Sequence, residues 1–525
     1  PYKLPSECMS YIRYVASKKD DALLVYGDDG EKFGEWPGTY KWVFEEKWLE
    51  NFFNELERNS DWLSTAKLSD CLDLRKSEGR IYLPTSSYEE MLEWSLPADT
   101  QEYMQNVVNE IRGMGKEDYY KPFIRGGFWR NFFTKYPESN HMNKKMVHVS
   151  VKLENLRREN PEAANSPVFR EAETELLRGQ CNCAYWHGVF GGLYLYHLRN
   201  AIYEHLIRAE ALEDQVRHGK KNFCDAYETD MDAEGNKDFV LENRGISVIV
   251  SPSKGGTIKE IDSKTMCQNY VNTLSRKKEA YHRTILEKIK NQTASSGGVR
   301  TIHDGIQTAD AALKDNMSYD KYPRHCFLDH YLPVSIDAAS FAASRYEDLS
   351  SFPMGIFSVK QRKDVNGVSL LMSKEGDISG KKALVEKNIT LLKKGCCIRA
   401  DYVFQNKSKS PLDFIFAVEF NFTMRYADSP RYQLFTGEKK TFSLSESLDS
   451  PCKEKVSICD LDTEEAVTIS FKTSCNVWSF PVKTVSQSEK AYELNYQGTS
   501  LVPRWRVSLK PGEKQEIFME VSLGA

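Results

Sequence analysis

"FIFAVEFNFT", residues 414–423, decides how the larger part of this chain folds. Phe414, Phe416, Val418, Phe420 and Phe422 occupy every second position, with Ile415, Ala417, Glu419, Asn421 and Thr423 between them. Successive side chains of a strand point to opposite faces, so one face of this segment is wholly apolar and must be covered. Val467, Ile469 and Phe471 repeat the pattern, and so do Ile517, Met519, Val521 and Leu523. Turn residues separate many such short runs, which predicts an antiparallel β-sandwich over residues 225–525.

Toward the N-terminus the period changes. Trp48, Phe52 and Leu56 recur at helical spacing, as do Met104, Val107, Val108 and Ile111. Met142, Met146, Val149, Leu153 and Leu156 form a third stripe, and Leu195, Leu198, Ile202 and Leu206 a fourth. Each stripe needs a neighbour to bury against, so residues 46–215 read as a helical bundle. Trp36, Trp94, Trp129 and Trp186 are read in the aromatic, turn-rich connections, off the stripes.

Residues 1–45 contain one run that is apolar throughout, Ala22–Tyr26, the pattern of a parallel strand covered on both faces. It leads straight into Asp28, Asp29 and Glu31. Charges that a buried strand excludes belong just past its C-terminal end, where barrels and open α/β sheets gather functional groups. The stretch "NQTASSGGVRTIHDG" (291–305) has no apolar period and reads as a flexible loop.

The chain has 525 residues, 40% hydrophobic, with a formal net charge of −4. That length suggests about three domains with ample apolar mass for their cores. A near-neutral balance without a basic block argues against nucleic acid as a partner. No apolar run approaches the ~20 residues needed to span a bilayer. Position 1 is Pro, so the expected reading is a chain that starts inside a longer protein or after processing. The 12 cysteines lack the C-x2-C spacing of structural zinc sites and read as reduced thiols of a cytoplasmic protein.

Three crowded carboxylates repel one another, so one of Asp28, Asp29 and Glu31 is expected to hold its proton near neutrality. A protonated carboxyl is what general-acid cleavage of a glycosidic bond needs. A solvated acidic turn or an ordinary cation site fits the same spacing. Indoles on loops suit the apolar C–H faces of sugar rings, and each serves equally as a core anchor for its loop. His187 has the chemistry to donate to a sugar hydroxyl or a carboxylate, or to act as a structural hydrogen-bonder. "RHCFLDHYL" gathers His325, Cys326, Asp329 and His330. Strand spacing would put Cys326 and His330 on one face and His325 and Asp329 on the other, so no metal site is expected. No phosphate-binding loop of the G-x-x-x-x-G-K-[ST] form and no G-x-S-x-G elbow occurs.

"DDGEKFGEWPGTY", "YLPTSSYEEMLEWSLP", "RGGFWRNFFTKYPESN" and "QCNCAYWHGVFGGLYLYHLRNAIYEHL" resemble the 4-α-glucanotransferase branch of glycoside hydrolase family 57. "ENRGISVIVSPSKGGTIKEID", "YPRHCFLDHYLP", "VSQSEKAYELNYQG" and "LVPRWRVSLKPGE" extend the resemblance to the C-terminal end. It implies a multidomain α+β chain: the last part of a (β/α)7 barrel (1–45), a helical bundle completing the catalytic domain (46–215), and a β-sandwich (225–525). It also implies a retaining double displacement on α-1,4-glucans. The family's D-G-E-x-F-G motif falls on Asp29–Gly34 and makes Asp29 the general acid/base, with Glu31, Trp36, Trp186 and His187 binding substrate. The family's H-x-H signature and nucleophilic Glu are not found here, so the chain is expected to be inactive alone and its barrel unable to close. Cys183 stands where the resemblance leads one to expect an Asp in some relatives. The expected partner is an α-1,4-glucan or maltooligosaccharide, with no cofactor, no metal, no nucleic acid and no membrane, and a homodimer is the candidate assembly. An α-amylase-type hydrolase and a non-catalytic glucan-binding protein are the competing readings.

Overall fold

The computed structural model describes every residue except 1–2, 20, 37, 78, 86, 189–190, 295–311, 427–428, 438–440, 464, 489–491 and 525. It divides into two compact units, Pro1–Pro84 and Thr85–Ala525.

In the larger unit the opening stretch lies in strand Leu412–Phe422. This strand belongs to a five-stranded antiparallel sheet ordered Leu448–Cys452, Cys475–Gln487, Tyr492–Leu509, Leu412–Phe422, Leu328–Leu332. Phe414, Phe416, Val418, Phe420 and Phe422 all enter the main core. There they join Ile389, Ile398, Tyr402, Ile517 and Met519 of a nine-stranded antiparallel sheet running from Thr441–Ser443 to Ser358–Lys363. The other face of the strand is covered as well. Ile415 and Ala417 pack with Phe341, Trp478, Phe480 and Val502 in a smaller core. Glu419 on that face is therefore buried, and accepts from Arg324 Nη1 at 2.5 Å and pairs with His330 Nε2 at 2.9 Å. A buried carboxylate persists only when paired in this way.

The segment Arg324–Leu332 corrects the simple alternation expected of it. Phe327 has φ +53°, a left-handed value that breaks the two-residue period. Cys326 is in the main core, where its thiol reaches the carbonyl of Asn421. Asp329 turns to Lys387 and Tyr402, and His330 to Glu419 and Asp348. Among the described residues, no group of three or more His, Cys, Asp or Glu side chains is arranged to hold a metal.

A third antiparallel sheet, Cys224–Thr229 through Gln268–Asn269, carries the helices. Helix Pro137–Glu159 buries Met142, Val149, Leu153 and Leu156, and helix Tyr196–His218 buries Ile202 and Leu206, as their stripes require. Helix Pro167–Arg178 adds Phe169, Ala172 and Leu176 to the same core. Lys145 interrupts the apolar face of Pro137–Glu159 and is 1% exposed. Its ammonium lies 2.6 Å from Glu210, 2.8 Å from Glu260 and 2.9 Å from Asp262, tying two helices to strand Thr257–Ser263. Residues 291–294, expected in a loop, continue helix Tyr281–Ala294; the rest of that expected loop falls outside the described residues. No described helix is long and apolar enough to cross a membrane.

In the smaller unit helix Pro5–Ala16 packs beside helix Trp48–Arg58. Trp48 donates its indole N–H to the Lys3 carbonyl at 2.7 Å and stacks on Phe52 with centroids 5.3 Å apart. Ala22–Tyr26 is not a buried strand. The run is unpaired, with Val25 and Tyr26 each 67% exposed. A parallel strand takes both its ladder and its covers from neighbours, and no described residue of this unit forms a strand beside it.

Candidate active site

In the 1–84 unit the acidic turn is built on one short 3-10 helix, Gly30–Phe33. Asp29 is the extended residue before it, with φ −73° and ψ 130°. Gly34 closes the turn at φ +138°, where a Cβ would lie 2.8 Å from the Phe44 ring, so only glycine fits. Lys32 reaches back to both aspartates, 2.5 Å from Asp28 Oδ1 and 3.5 Å from Asp29 Oδ2. The hydrogen bond from Lys32 holds the Asp28 carboxyl below its ordinary value. Mutual repulsion was expected to keep a proton in this cluster; at Asp28 the ammonium overrides it. Asp28 is also spent on the Asp29 backbone N–H and the Tyr26 hydroxyl. Asp29 differs: its side chain is 62% exposed. Lys32 sits 5.4 Å from the centroid of Trp36, and the Glu31 carbonyl accepts from the backbone of Glu35 and Trp36.

In the 85–525 unit a cleft of about 290 Å³ is lined by Glu93, Trp94, Gln101, Gln105, Lys135, His187, Glu279, Tyr281, Gln487 and Tyr492 among others. Trp94 is placed by helix Glu89–Ser95 and Trp129 by a 3-10 turn, so neither sits in an irregular connection. Trp186 lies behind Trp94, with the two indoles stacked at 5.9 Å and 23°. Gly188 makes the approach feasible: a Cβ there would meet the Trp94 ring at 2.6 Å.

His187 is 3% exposed. Its Nδ1 is 2.8 Å from the Gly191 carbonyl, which can only accept, so the neutral ring carries its proton there and accepts from the Tyr281 hydroxyl at Nε2, 3.2 Å away. Burial holds the imidazole down at about 4.

Glu279, 2% exposed, is the buried charge of this cleft. Tyr136 and Tyr194 donate to its Oε1 at 2.7 and 2.8 Å, and Lys135 lies 3.0 Å from Oε2. Burial pushes its carboxyl up, but Lys135 and the Tyr136 hydroxyl outweigh that and hold it below its ordinary value. Lys135 also donates to the Trp94 carbonyl at 2.9 Å, linking the charge to the indole. Sequence reading passed over Lys135 and Glu279. Glu279 stands in "SRKKEAY", a run that looks like a solvated charged face, and its partner Tyr136 is 143 residues away. Of the expected residues, Trp186 and His187 come together here, and Asp29, Glu31 and Trp36 come together in the smaller unit.

An aromatic cleft with convergent polar groups is the form of a small-molecule site, and stacked indoles with amides and carboxylates suit a carbohydrate. Three family models match the chain: Glycosyl hydrolase family 57 over residues 1–84, the Alpha-amylase/4-alpha-glucanotransferase middle domain over 127–213, and its C-terminal domain over 230–519. The chain is 34% identical to alpha-amylase 1 of Dictyoglomus thermophilum over 515 residues, 98% of this chain and 71% of that protein. It is also 34% identical to a 4-alpha-glucanotransferase of Thermococcus kodakarensis, covering 95% of this chain and 69% of that one. The crystal structure of the 4-alpha-glucanotransferase from Thermococcus litoralis superposes with a TM-score of 0.74 at 30% identity, over 100% of this chain and 71% of that one. The chain belongs to glycoside hydrolase family 57, as an enzyme of its α-amylase/4-α-glucanotransferase group.

Proposed function

We propose that this enzyme is a retaining 4-α-glucanotransferase that moves α-1,4-glucan segments between maltodextrins. The observation that carries the substrate class is the stacked Trp94–Trp186 pair beside a cleft of amides, hydroxyls and carboxylates. In the reaction Asp29 protonates the leaving glycosidic oxygen, then takes the proton from the incoming 4-hydroxyl of an acceptor glucan. Its exposure beside Lys32 and Trp36 supports that role. Glu31 and Trp36 hold sugar near Asp29, Trp186 supports the stacking surface, and His187 orients the Tyr281 hydroxyl toward substrate. Retention requires a second carboxyl about 5 Å from the first, as nucleophile; no residue among the 525 is assigned to it. Residues 46–215 serve in this reading as a bundle completing the catalytic domain and 225–525 as a β-sandwich.

Relatives named α-amylase and relatives named 4-α-glucanotransferase match equally well, which keeps hydrolysis as the second reading. Both reactions use the same acid/base and differ in whether acceptor sugar or water takes the glycosyl group. Incubating the active enzyme that carries this chain with maltotriose separates them. A ladder of longer maltodextrins is expected; glucose and maltose alone would overturn the transferase reading.

A further inference from the structure

The larger unit holds a second cavity of about 250 Å³, between helix Pro137–Glu159, residues 271–277 and residues 320–325. It shares no lining residue with the Trp94 cleft. Its wall is cationic: Arg199, Lys254, Lys259, Lys277, Lys321 and Arg324 stand against three carboxylates, Glu138, Asp232 and Asp320.

Four of these cations are matched. Lys277 pairs with Glu138 at 2.7 Å. Lys254 and Lys259 share Asp232, and each has a further carboxylate off the wall, Glu234 and Asp238 respectively. Arg324 is clamped by Asp320 and Glu419, each at 2.5 Å, and Asp320 also holds Arg276. Against the upward push of burial, these cations keep all three wall carboxyls well below their ordinary values, ionised but spent.

Two cations remain. Arg199 is 1% exposed, and its guanidinium donates to neutral acceptors: the Asn272 side chain at 3.1 Å and carbonyl at 3.0 Å, the Gln497 side chain at 2.6 Å, and the Leu193 carbonyl. A buried cation normally has a counter-charge. Lys321 is exposed at the rim, and among the described residues its ammonium meets no carboxylate, only the Tyr322 and Tyr346 rings at 5.7 and 5.8 Å.

Two neutral donors line the same space. The Tyr203 hydroxyl meets no hydrogen-bond partner among the described residues. His325 faces Thr257 Oγ1 at 3.1 Å through Nδ1. Burial, helped by Lys259 and Lys254, holds this imidazole down at about 3, so near neutral pH it carries one proton. Among the described residues the Thr257 hydroxyl has no other acceptor, so it donates to Nδ1 and the ring proton stands on Nε2. His325 is partly exposed, and its Nε2 is not among the fully buried atoms left without a partner.

Two unmatched positive charges and two donors without acceptors call for a ligand with two negative charges and acceptor oxygens. A phosphate group carries about −1.5 to −2 at neutral pH, where a carboxylate brings one charge and a neutral sugar none. Val271, Leu274 and the Tyr203 ring leave an apolar wall for an organic body behind the anion. We infer that this cavity is a second binding site, for the phosphate group of inorganic phosphate or of a small phosphorylated sugar. Lys321 and Arg199 supply its counter-charge, and Tyr203 and His325 donate to its oxygens. The site stands whether or not Asp29 is the acid/base.

Calorimetric titration of the full chain with inorganic phosphate and with glucose 6-phosphate, at fixed ionic strength, tests it. Phosphate binding is expected to weaken by about tenfold in Lys321→Gln, the scale of one charge-assisted hydrogen bond, with the melting temperature unchanged because Lys321 is exposed. Lys514→Gln, which removes an exposed lysine outside the cavity, is expected to bind like the parent. Tighter binding of glucose 6-phosphate would identify a phosphorylated sugar as the ligand, and tighter binding of inorganic phosphate the free anion. A crystal soaked in tungstate, a heavy phosphate analogue, is expected to show the anion within hydrogen-bond distance of Lys321 Nζ, Tyr203 Oη and His325 Nε2. Failure of both ligands to bind, equal weakening in Lys514→Gln, or an adventitious ion held by Lys321 alone would each overturn the site.

Discussion

Two neighbouring aspartates in the smaller unit have unlike surroundings. Asp28 is tied to Lys32, to the Asp29 backbone and to Tyr26, whereas the Asp29 side chain stays 62% exposed. Of the two, Asp29 is the more open, its side chain contacting Lys32 at 3.5 Å. In an active enzyme containing this chain, Asp29→Asn is expected to lower kcat on maltodextrin by about 10²–10⁴-fold, the range of a lost general acid/base, with glucan affinity largely kept. Asp28→Asn is expected to cost far less, and near-normal turnover of the Asp29 variant would refute the assignment. The spacing of this turn was legible; the effect of Lys32 on Asp28 was not, because charge balance depends on where a flexible ammonium settles. His187 makes the same point. From sequence it was a candidate donor, but its Nδ1 proton is spent on the Gly191 carbonyl, and burial keeps the ring neutral although that carbonyl favours the protonated form. An NMR titration of its ring is expected to show a midpoint near 4, and a midpoint near the ordinary 6.5 would contradict the buried geometry.

At the scale of elements, the stripe on helix Pro137–Glu159 announced the helix and most of its buried face. The exception is Lys145, whose position inside that face carries no apolar signal, since its three carboxylate partners come from helix Tyr196–His218 and strand Thr257–Ser263. Burial and the adjacent Glu260 hold the Asp262 carboxyl well above its ordinary value, so the cluster shares protons as well as charge. Removing one partner from a buried ionic cluster costs about 3–5 kcal/mol, because uncompensated charge stays behind. Lys145→Met is therefore expected to lower the melting temperature clearly, with hydrogen-exchange protection lost first in helix Pro137–Glu159. A variant that melts like the parent would show that the cluster contributes little net stability. Ala22–Tyr26 is the opposite case: its apolar run was plain in the sequence, but a strand is made by its neighbours, and the described unit supplies none.

For the whole molecule, buried ionisable groups set the response to pH. His141, His148 and His187 are held by burial at about 4, below their ordinary 6.5. The unfolded chain therefore binds more protons between those values, and their contribution is lost as pH falls from 6.5 to 4. Glu138 and Glu419 are at about 2, where Lys277 and Arg324 respectively outweigh the upward push of burial, and their contribution disappears as pH falls from 4.5 toward 2. His330 runs the other way: despite burial, Asp348 and Glu419 raise it to about 9, so its contribution fades as pH climbs from 6.5 through 9. Thermal stability is expected to peak near pH 6.5 and fall on both sides, steeply toward acid; a scan that stays flat down to pH 4 would refute the buried neutral histidines.

The sequence by itself determined the local periods: two-residue alternation over the sheets, helical stripes over the bundle, and the glycine-closed D-G-E-x-F-G turn that carries Asp29. These follow from the geometry of one backbone segment and the need to cover an apolar face. Only the tertiary structure decided that both faces of Phe414–Phe422 are buried, that Glu279 rather than an obvious motif residue charges the cleft, and that Arg199, Tyr203 and Lys321 surround one cavity. Burial, pairing and protonation are set by groups brought from tens to hundreds of residues away, and no local pattern encodes which of them will meet.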